Sequence, residues 1–237
     1  MPRKPMSEAA EKVESLDHIA IFPLPLVLLP GEVLPLHIFE SRYRQMLTDI
    51  EAKRNLFGIS LFESNEGFSD RPETGSVGCV AEVREVQTLP EKRSNILTFG
   101  VIRYRIIEYM DLGTPYLTAR VEFFEDVDED KPALATAADE VFDLFERVAK
   151  AAFDLSGNRG KFPEIQRSDP ERLSFVVTAA FNLETEIKYK LLEMDSTLAR
   201  FEKLRSILTS AVGRMEDSAA IHKVAQTNGH SKTKIDL

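Results

Sequence analysis

The sequence has one cysteine, no tryptophan and more acidic than basic side chains. Its 237 residues include 30 lysines and arginines against 39 aspartates and glutamates, which gives a formal net charge of −9. A lone cysteine, Cys79, excludes an intramolecular disulfide and a zinc site built from several thiolates. The acidic excess excludes the molecule-wide basic field that favours nucleic-acid binding. We expect a protein of a reducing compartment, the cytoplasm.

Motifs of nucleotide and hydrolytic chemistry are also missing. The Gly160-Lys161 pair is followed by Phe162, and Leu155 stands where a phosphate-binding loop needs its first glycine. Neither Gly-x-Ser-x-Gly nor His-Glu-x-x-His occurs. We therefore expect no catalytic residues, no cofactor and no metal site, and neither an ATPase nor a serine–lysine protease domain.

Residues 19–39 form an apolar stretch that is long enough to span a bilayer. It contains four prolines as well as Glu32 and His37, and interior prolines break helices, so we expect no membrane segment. Acidic residues separate it from the basic residues near the start, unlike a signal peptide. Residues 1–16 are expected to form a flexible leader.

Short apolar strands dominate residues 17–125. Pro30-Gly31 fits the centre of a type II turn, because proline fixes φ and glycine adopts the positive φ that follows. The alternation of apolar side chains changes phase near Gly100–Val101, which indicates a bulge. A helix is predicted over residues 43–53. The predicted strands are His18–Phe22, Val27–Leu29, Val33–Leu36, Leu56–Phe62, Val77–Val86, Ile96–Ile107 and Tyr116–Phe124.

Residues 126–212 are predicted to be helical. The acidic run Glu122–Asp130 marks the boundary, and apolar residues at helical spacing follow it. Asp169 is the expected N-cap of a helix that begins at Pro170. Further helices are predicted over residues 184–194 and 196–212, and a disordered tail over 213–237. The apolar helix faces fit either a monomeric bundle or a dimer.

A set of motifs follows in fixed order along the chain. Ile21–Gly31 precedes Leu34–Glu40 and Arg42-Tyr43, and Gly100 precedes Arg103-Tyr104-Arg105-Ile106. Over residues 17–212 the chain resembles the LON substrate-binding domain, the N-terminal domain of Lon proteases and also a standalone bacterial protein. The motif residues, which we expect to be mainly structural, are Pro30, Gly31, Pro35, Leu36, His37, Phe39, Glu40, Arg42, Tyr43, Gly100 and Arg103.

The resemblance implies an α+β fold, in which a PUA-like β-barrel with one early helix is followed by a helical bundle. It also implies a non-catalytic protein-binding module for unfolded or damaged polypeptides, in proteolysis or quality control. Its partners would be polypeptide substrates or one protein, which could be a protease. An exposed apolar surface would serve such binding. Our candidate surface is Phe22, Leu24, Leu26 and Leu28.

Two alternatives remain open at this stage. An adaptor for one folded partner would need no preference for unfolded chains. Related PUA-like barrels bind RNA, but the net charge disfavours nucleic acid as a partner. The arginines that could form a basic patch are Arg42, Arg44, Arg103 and Arg105, of which the last two are expected on an exposed strand face.

Two residues could be mistaken for catalytic groups. His37 and Glu40 are three residues apart, but apolar residues surround them, so we interpret His37 as structural. Cys79 lies on the apolar side of a predicted strand, where a buried thiol is inert. A hydrolase would require one of them in a deep pocket beside a carboxylate.

Overall fold

The computed structural model describes residues 7–63, 71–156, 162 and 164–228, with side chains up to Arg214. Within them the chain forms six strands, six α-helices and a 3-10 turn at Pro90–Lys92, and the predicted α+β class is confirmed. The strands are β1 (His18–Leu24), β2 (Val33–Ile38), β3 (Leu56–Leu61), β4 (Val77–Thr88), β5 (Ser94–Met110) and β6 (Leu117–Phe124). The helices are α1 (Glu8–Val13), α2 (Ser41–Glu51), α3 (Lys131–Leu155), α4 (Pro170–Ala180), α5 (Thr185–Glu193) and α6 (Thr197–Asn228).

Backbone pairing links β1, β3, β4, β5 and β6 in a ring, because β6 pairs with both β1 and β5. The β1–β3 pair is parallel and the others are antiparallel. Ala81 pairs with Gly100 and Cys79 with Arg103, so β5 has one residue more than β4 between these pairs. This confirms the bulge predicted near Gly100–Val101. The PUA-like assignment stays a prediction.

The loop between β1 and β2 packs its backbone against β5. Gly31 has a φ of 82°, and Glu32 N–H donates to the Leu29 carbonyl at 3.1 Å, which confirms the predicted turn. A Cβ on Gly100 would lie 2.1 Å from the Leu29 carbonyl oxygen, so a larger residue cannot fit without a shift of the backbone. The strand predicted at Val27–Leu29 is wrong, since these residues are buried in the loop without strand pairing.

The chain divides into two compact units. The first contains the described residues up to Val127 together with Thr178–Asp195, and the second contains Asp128–Val177 and the described residues from Ser196. The helical subdomain predicted over residues 126–212 is therefore divided, because α5 belongs to the unit that holds the strands. The periodicity of a helix shows that one face is buried but not what covers it.

Two hydrophobic cores stabilise the first unit. Phe22 and Tyr43 pack with their ring centroids 4.0 Å apart in the core that α2 covers. Val13, at the end of α1, is 2% exposed and packs in the other core. The flexible leader predicted over residues 1–16 is thus wrong for α1, where Ser7 Oγ accepts from the Ala10 N–H at 3.1 Å and caps the helix. Residues 1–6 lie outside the described residues.

Helices α3 and α6 pack together in the second unit. The start of α6 is capped twice: Ser196 Oγ accepts from the Ala199 N–H at 3.0 Å, and the Glu129 carboxylate accepts from the Leu198 N–H at 3.1 Å. The helix continues to Asn228, so the tail predicted to be disordered from residue 213 is helical there. No proline interrupts this stretch, and its loss of apolar periodicity was a poor guide to the end of the helix. The predicted tail beyond Asn228 lies outside the described residues.

Replacing Gly100 by alanine is expected to destabilise the fold. The added Cβ meets a backbone carbonyl, which cannot rotate away as a side chain can, so we expect a loss of about 1–3 kcal/mol in the free energy of unfolding. Urea denaturation followed by circular dichroism measures this loss.

The matched control is Gly213→Ala in α6, where an added Cβ meets nothing within 4 Å. Because alanine is the better helix former, this variant should be unchanged or more stable by up to about 1 kcal/mol. Equal stability of both variants would contradict the close approach at Gly100.

Candidate functional site

The surface predicted from the proline-rich stretch is mostly core. Phe22 and Leu28 are 6% and 1% exposed, and they belong to the core that α2 covers. Leu24 and Leu26 are half-buried and pack against the same core. The prediction of Phe22 and Leu28 as binding residues is therefore wrong. A proline lacks a backbone donor, but it does not prevent the neighbouring side chains from turning inward.

An exposed apolar surface does exist, on the outer face of β2 and β5. Val33 and Phe39 are 54% and 59% exposed. Val33 pairs with Phe99 and Pro35 pairs with Leu97, so the side chains of each pair lie on the same face of the sheet. We name this surface the outer-face patch. It consists of the exposed Val33, Pro35 and Phe39 and the half-buried Leu97 and Phe99.

The free edge of β2 adjoins this patch. Among the described strands β2 pairs with β5 alone. The Gly100 N–H donates to the Glu32 carbonyl at 2.9 Å, so by alternation Val33, Pro35 and His37 direct their backbone groups away from β5. Proline fits at position 35 because its missing N–H would point to this free edge.

Polar and cationic groups surround the patch. His37 is exposed, and its ring Nδ1–H donates to Asn95 Oδ1 at 2.7 Å. The His37 ring also stacks on Phe39, with 5.8 Å between centroids. The Arg84 guanidinium lies 5.3 Å from the centroid of the Phe99 ring. An apolar surface with such a rim is typical of sites that bind other proteins.

The remaining motif residues are placed around the start of α2. Glu40 precedes the helix, and its carboxylate pairs with Arg42 at 2.9 Å. The Arg42 guanidinium lies 4.6 Å from the centroid of the buried Tyr43 ring, and Leu36 is half-buried against the same core as Tyr43. These contacts order the junction between β2 and α2. His37 and Glu40 do not share a helix face, because β2 ends at Ile38.

Arg103 is buried, which corrects the expectation that it lies on an exposed face with Arg105. Its side chain is 1% exposed and pairs with Asp126, itself 4% exposed, at 2.5 Å. It also donates to the carbonyls of Leu192 and Met194 at the end of α5. Arg105 is exposed. A basic patch that includes Arg103 therefore does not form.

Cys79 is fully buried, and burial raises the pKa of its thiol above the ordinary value. It does not line a cleft with His37, which lies at the exposed edge. Across the described residues no cluster of three or more histidine, cysteine, aspartate or glutamate side chains could hold a metal ion. In the same part of the chain no helix is both long enough and apolar enough to cross a bilayer.

Sequence reasoning missed Val33, Leu97 and Phe99 as surface residues. The available signal was that β2 is apolar at both alternating sets of positions, Val33 and Pro35 as well as Leu34 and Leu36. In an edge strand only one of these sets can face the core, so the other must be exposed.

Comparison with known proteins agrees with the motifs. Residues 18–210 match the family described as the ATP-dependent protease La (LON) substrate-binding domain. The Lon protease of Escherichia coli K12 is 27% identical over 220 residues, which cover 88% of this chain and 26% of the protease. The Lon protease of Heliobacterium modesticaldum is 23% identical, with 89% and 26% covered. The chain thus spans about a quarter of the length of these relatives.

Two solved structures share the fold. The Lon N-terminal domain protein from Xanthomonas campestris superposes with a TM-score of 0.58 at 20% identity, covering 80% of this chain and 97% of that one. The N-terminal domain of the Mycobacterium avium complex Lon protease gives 0.59 at 18% identity, covering 81% and 98%. The α+β architecture is therefore that of Lon N-terminal domains.

Arg103→Met is expected to lower the free energy of unfolding by about 3–5 kcal/mol, because it leaves Asp126 as a buried charge without this partner. Urea denaturation provides the measurement. Arg105→Met, two residues along the same strand but exposed, should change stability by no more than about 0.5 kcal/mol. Equal losses in both variants would show that burial of Arg103 has no special role.

Cys79 should not react with Ellman's reagent in the folded protein. Because burial raises the pKa of its thiol, the rate should stay low between pH 7 and 9, a range in which a free thiol with a pKa of about 8.5 ionises. Unfolding in guanidinium should expose one thiol. A Leu112→Cys variant is the control, since Leu112 is 49% exposed and its replacement should react readily. Rapid labelling of Cys79 in the native state would contradict this picture.

Proposed function

Because the chain belongs to the family of LON substrate-binding domains, we propose that it is a non-catalytic module that recognises polypeptides. Its ligands are unfolded or damaged segments, and their recognition serves proteolysis or protein quality control. The observation that supports this proposal most directly is the outer-face patch, where Val33 and Phe39 are more than half exposed.

The chemistry of the patch suits unfolded chains. An unfolded segment exposes aliphatic and aromatic side chains that a folded protein buries, and transfer of that apolar surface out of water favours binding. Val33 and Pro35 belong to a strand that β5 holds in place, so little ordering of the module is required.

The free edge of β2 adds backbone recognition. Val33 and His37 each present an N–H and a carbonyl, and Pro35 presents a carbonyl. An extended segment could pair with these groups while its alternate side chains cover the patch. Because backbone pairing is independent of sequence, this arrangement favours many ligands over one.

The surroundings of the two reactive side chains support a non-catalytic role. The Cys79 thiol is buried and its raised pKa disfavours the nucleophilic thiolate. The His37 ring Nδ1–H donates a hydrogen bond to the side-chain oxygen of Asn95 on the neighbouring strand. Neither arrangement resembles a nucleophile held beside a general base.

The test is fluorescence anisotropy of a labelled, permanently unfolded protein titrated with this chain, with the native form of the same protein as control. We expect micromolar binding of the unfolded form alone. A Val33→Ser/Phe39→Ser double variant should weaken that binding about tenfold, because it removes two large apolar contacts.

Leu112→Ser is the control, because it removes a large apolar side chain that is 49% exposed and lies outside the patch, and the affinity of this variant should be unchanged. Equal binding of native and unfolded forms would reject unfolded-chain recognition and favour an adaptor for a folded partner. Selective binding that the double variant leaves intact would reject the patch but keep the function.

A further inference from the structure

A groove lies beside β4 and β5, and the side chains of Val83 and Val86 that line it are on the opposite face of the sheet from the outer-face patch. It runs between α2 and the paired ends of β4 and β5, and its volume is about 680 Å³. Pockets that bind ligands commonly have volumes of roughly 300–1,000 Å³. The groove lies wholly within the first unit.

Part of the groove lining is aliphatic. Leu47 and Ile50 come from α2, and Val83 and Val86 come from β4. Val86 is 58% exposed, so a large apolar side chain faces the open groove instead of packing into the core. A ligand that covers Val86 would remove this surface from water.

The charge of the groove is opposite to that of the protein. Arg44 and Lys92 line it against one carboxylate, Glu51, although the whole chain carries a net charge of −9. Arg84 also borders the groove, but its guanidinium lies over the Phe99 ring of the outer-face patch. Arg84 is paired with Glu82 at 2.7 Å. Within the described part of the chain, neither Arg44 nor Lys92 has a carboxylate partner. Arg44 and Lys92 therefore lack an ion-pair partner, and together with Glu51 they leave the groove with a net positive charge.

The backbone holds Arg44 in this position. Its Nη1 donates to the Glu91 carbonyl at 2.8 Å, whereas its Nε is buried without a partner among the described residues. Glu91 and Lys92 have φ values of 62° and 59°, in the left-handed region that residues other than glycine rarely adopt. Because the Arg44 Nε–H is buried, the side chain must rotate slightly before a ligand oxygen can accept a hydrogen bond from this group.

We propose that this groove binds an acidic residue of a polypeptide ligand together with an aliphatic neighbour of that residue. The side-chain carboxylate lies between Arg44 and Lys92, and the aliphatic side chain packs on Val86 and Leu47. This inference rests on the proposed function, because it names the class of segment that the module prefers. Arg44 has the main recognition role, since a guanidinium binds a carboxylate through directed, charge-assisted hydrogen bonds.

The test uses two labelled peptides with blocked termini, identical except for Asp or Asn at the centre of a leucine-rich segment. Blocked termini make the aspartate the only carboxylate that distinguishes them. Anisotropy titrations should show the Asp peptide binding about tenfold more tightly than the Asn peptide. The difference should shrink when the salt concentration is raised, since screening weakens exposed charge pairs.

Arg44→Gln should remove the preference for Asp, so that the Asp and Asn peptides bind this variant with equal affinity. Lys92→Gln should reduce the preference partly. Arg120→Gln is the control, because Arg120 is exposed on β6 and does not line the groove. Circular dichroism and thermal melts verify that each variant is folded.

The outcomes separate this inference from the proposed function. Equal affinities for the Asp and Asn peptides, or an Asp preference that survives Arg44→Gln, would overturn the groove assignment. Unfolded-protein binding that still depends on the outer-face patch would then leave the proposed function standing. No binding of either peptide or of the unfolded protein would overturn both.

Discussion

A buried charge pair, between Arg103 and Asp126, constrains how three segments of the first unit assemble. Arg103 on β5 joins the segment after β6 to the end of α5, through the Asp126 carboxylate and the carbonyls of Leu192 and Met194. A guanidinium removed from water is tolerated only when its donors are occupied, so the three segments must assemble together. The Arg103 motif residue therefore has a structural role, and it explains why α5 belongs to the unit that holds the strands.

The two proposed binding surfaces depend on that scaffold. Val33 and Pro35 direct their side chains to one face of the sheet, while Val83 and Val86 direct theirs to the other. The same backbone thus fixes an apolar surface and a cationic groove. A polypeptide that contacts both would be selected for apolar content at one face and for an acidic residue at the other, and neither contact requires the sheet to change shape.

Local chemistry made much of the fold predictable. Three predicted features are present: the turn at Gly31, the bulge near Gly100 and the N-cap at Asp169, whose carboxylate accepts from the Arg172 N–H. Each was predictable because its residue types favour few local conformations. The burial of Phe22 and Leu28 was not predictable in this way, because a proline-rich apolar stretch is compatible with either exposure or a packed loop. The prediction that Arg103 is exposed was wrong for a related reason. Alternation along a strand does not show whether another segment covers the outer face of that strand.

Pro35 has a consequence for how the molecule behaves among its own copies. An unpaired strand edge beside exposed apolar side chains favours cross-β aggregation, because each strand that is added presents a new unpaired edge to the next one. Pro35 has no backbone N–H at the centre of the edge of β2, so each layer of a cross-β stack of this strand would lack one backbone hydrogen bond. The binding of one segment loses this hydrogen bond once, whereas a fibril would lose it in every layer. Pro35 therefore disfavours repeated strand addition more than it disfavours the pairing of one segment.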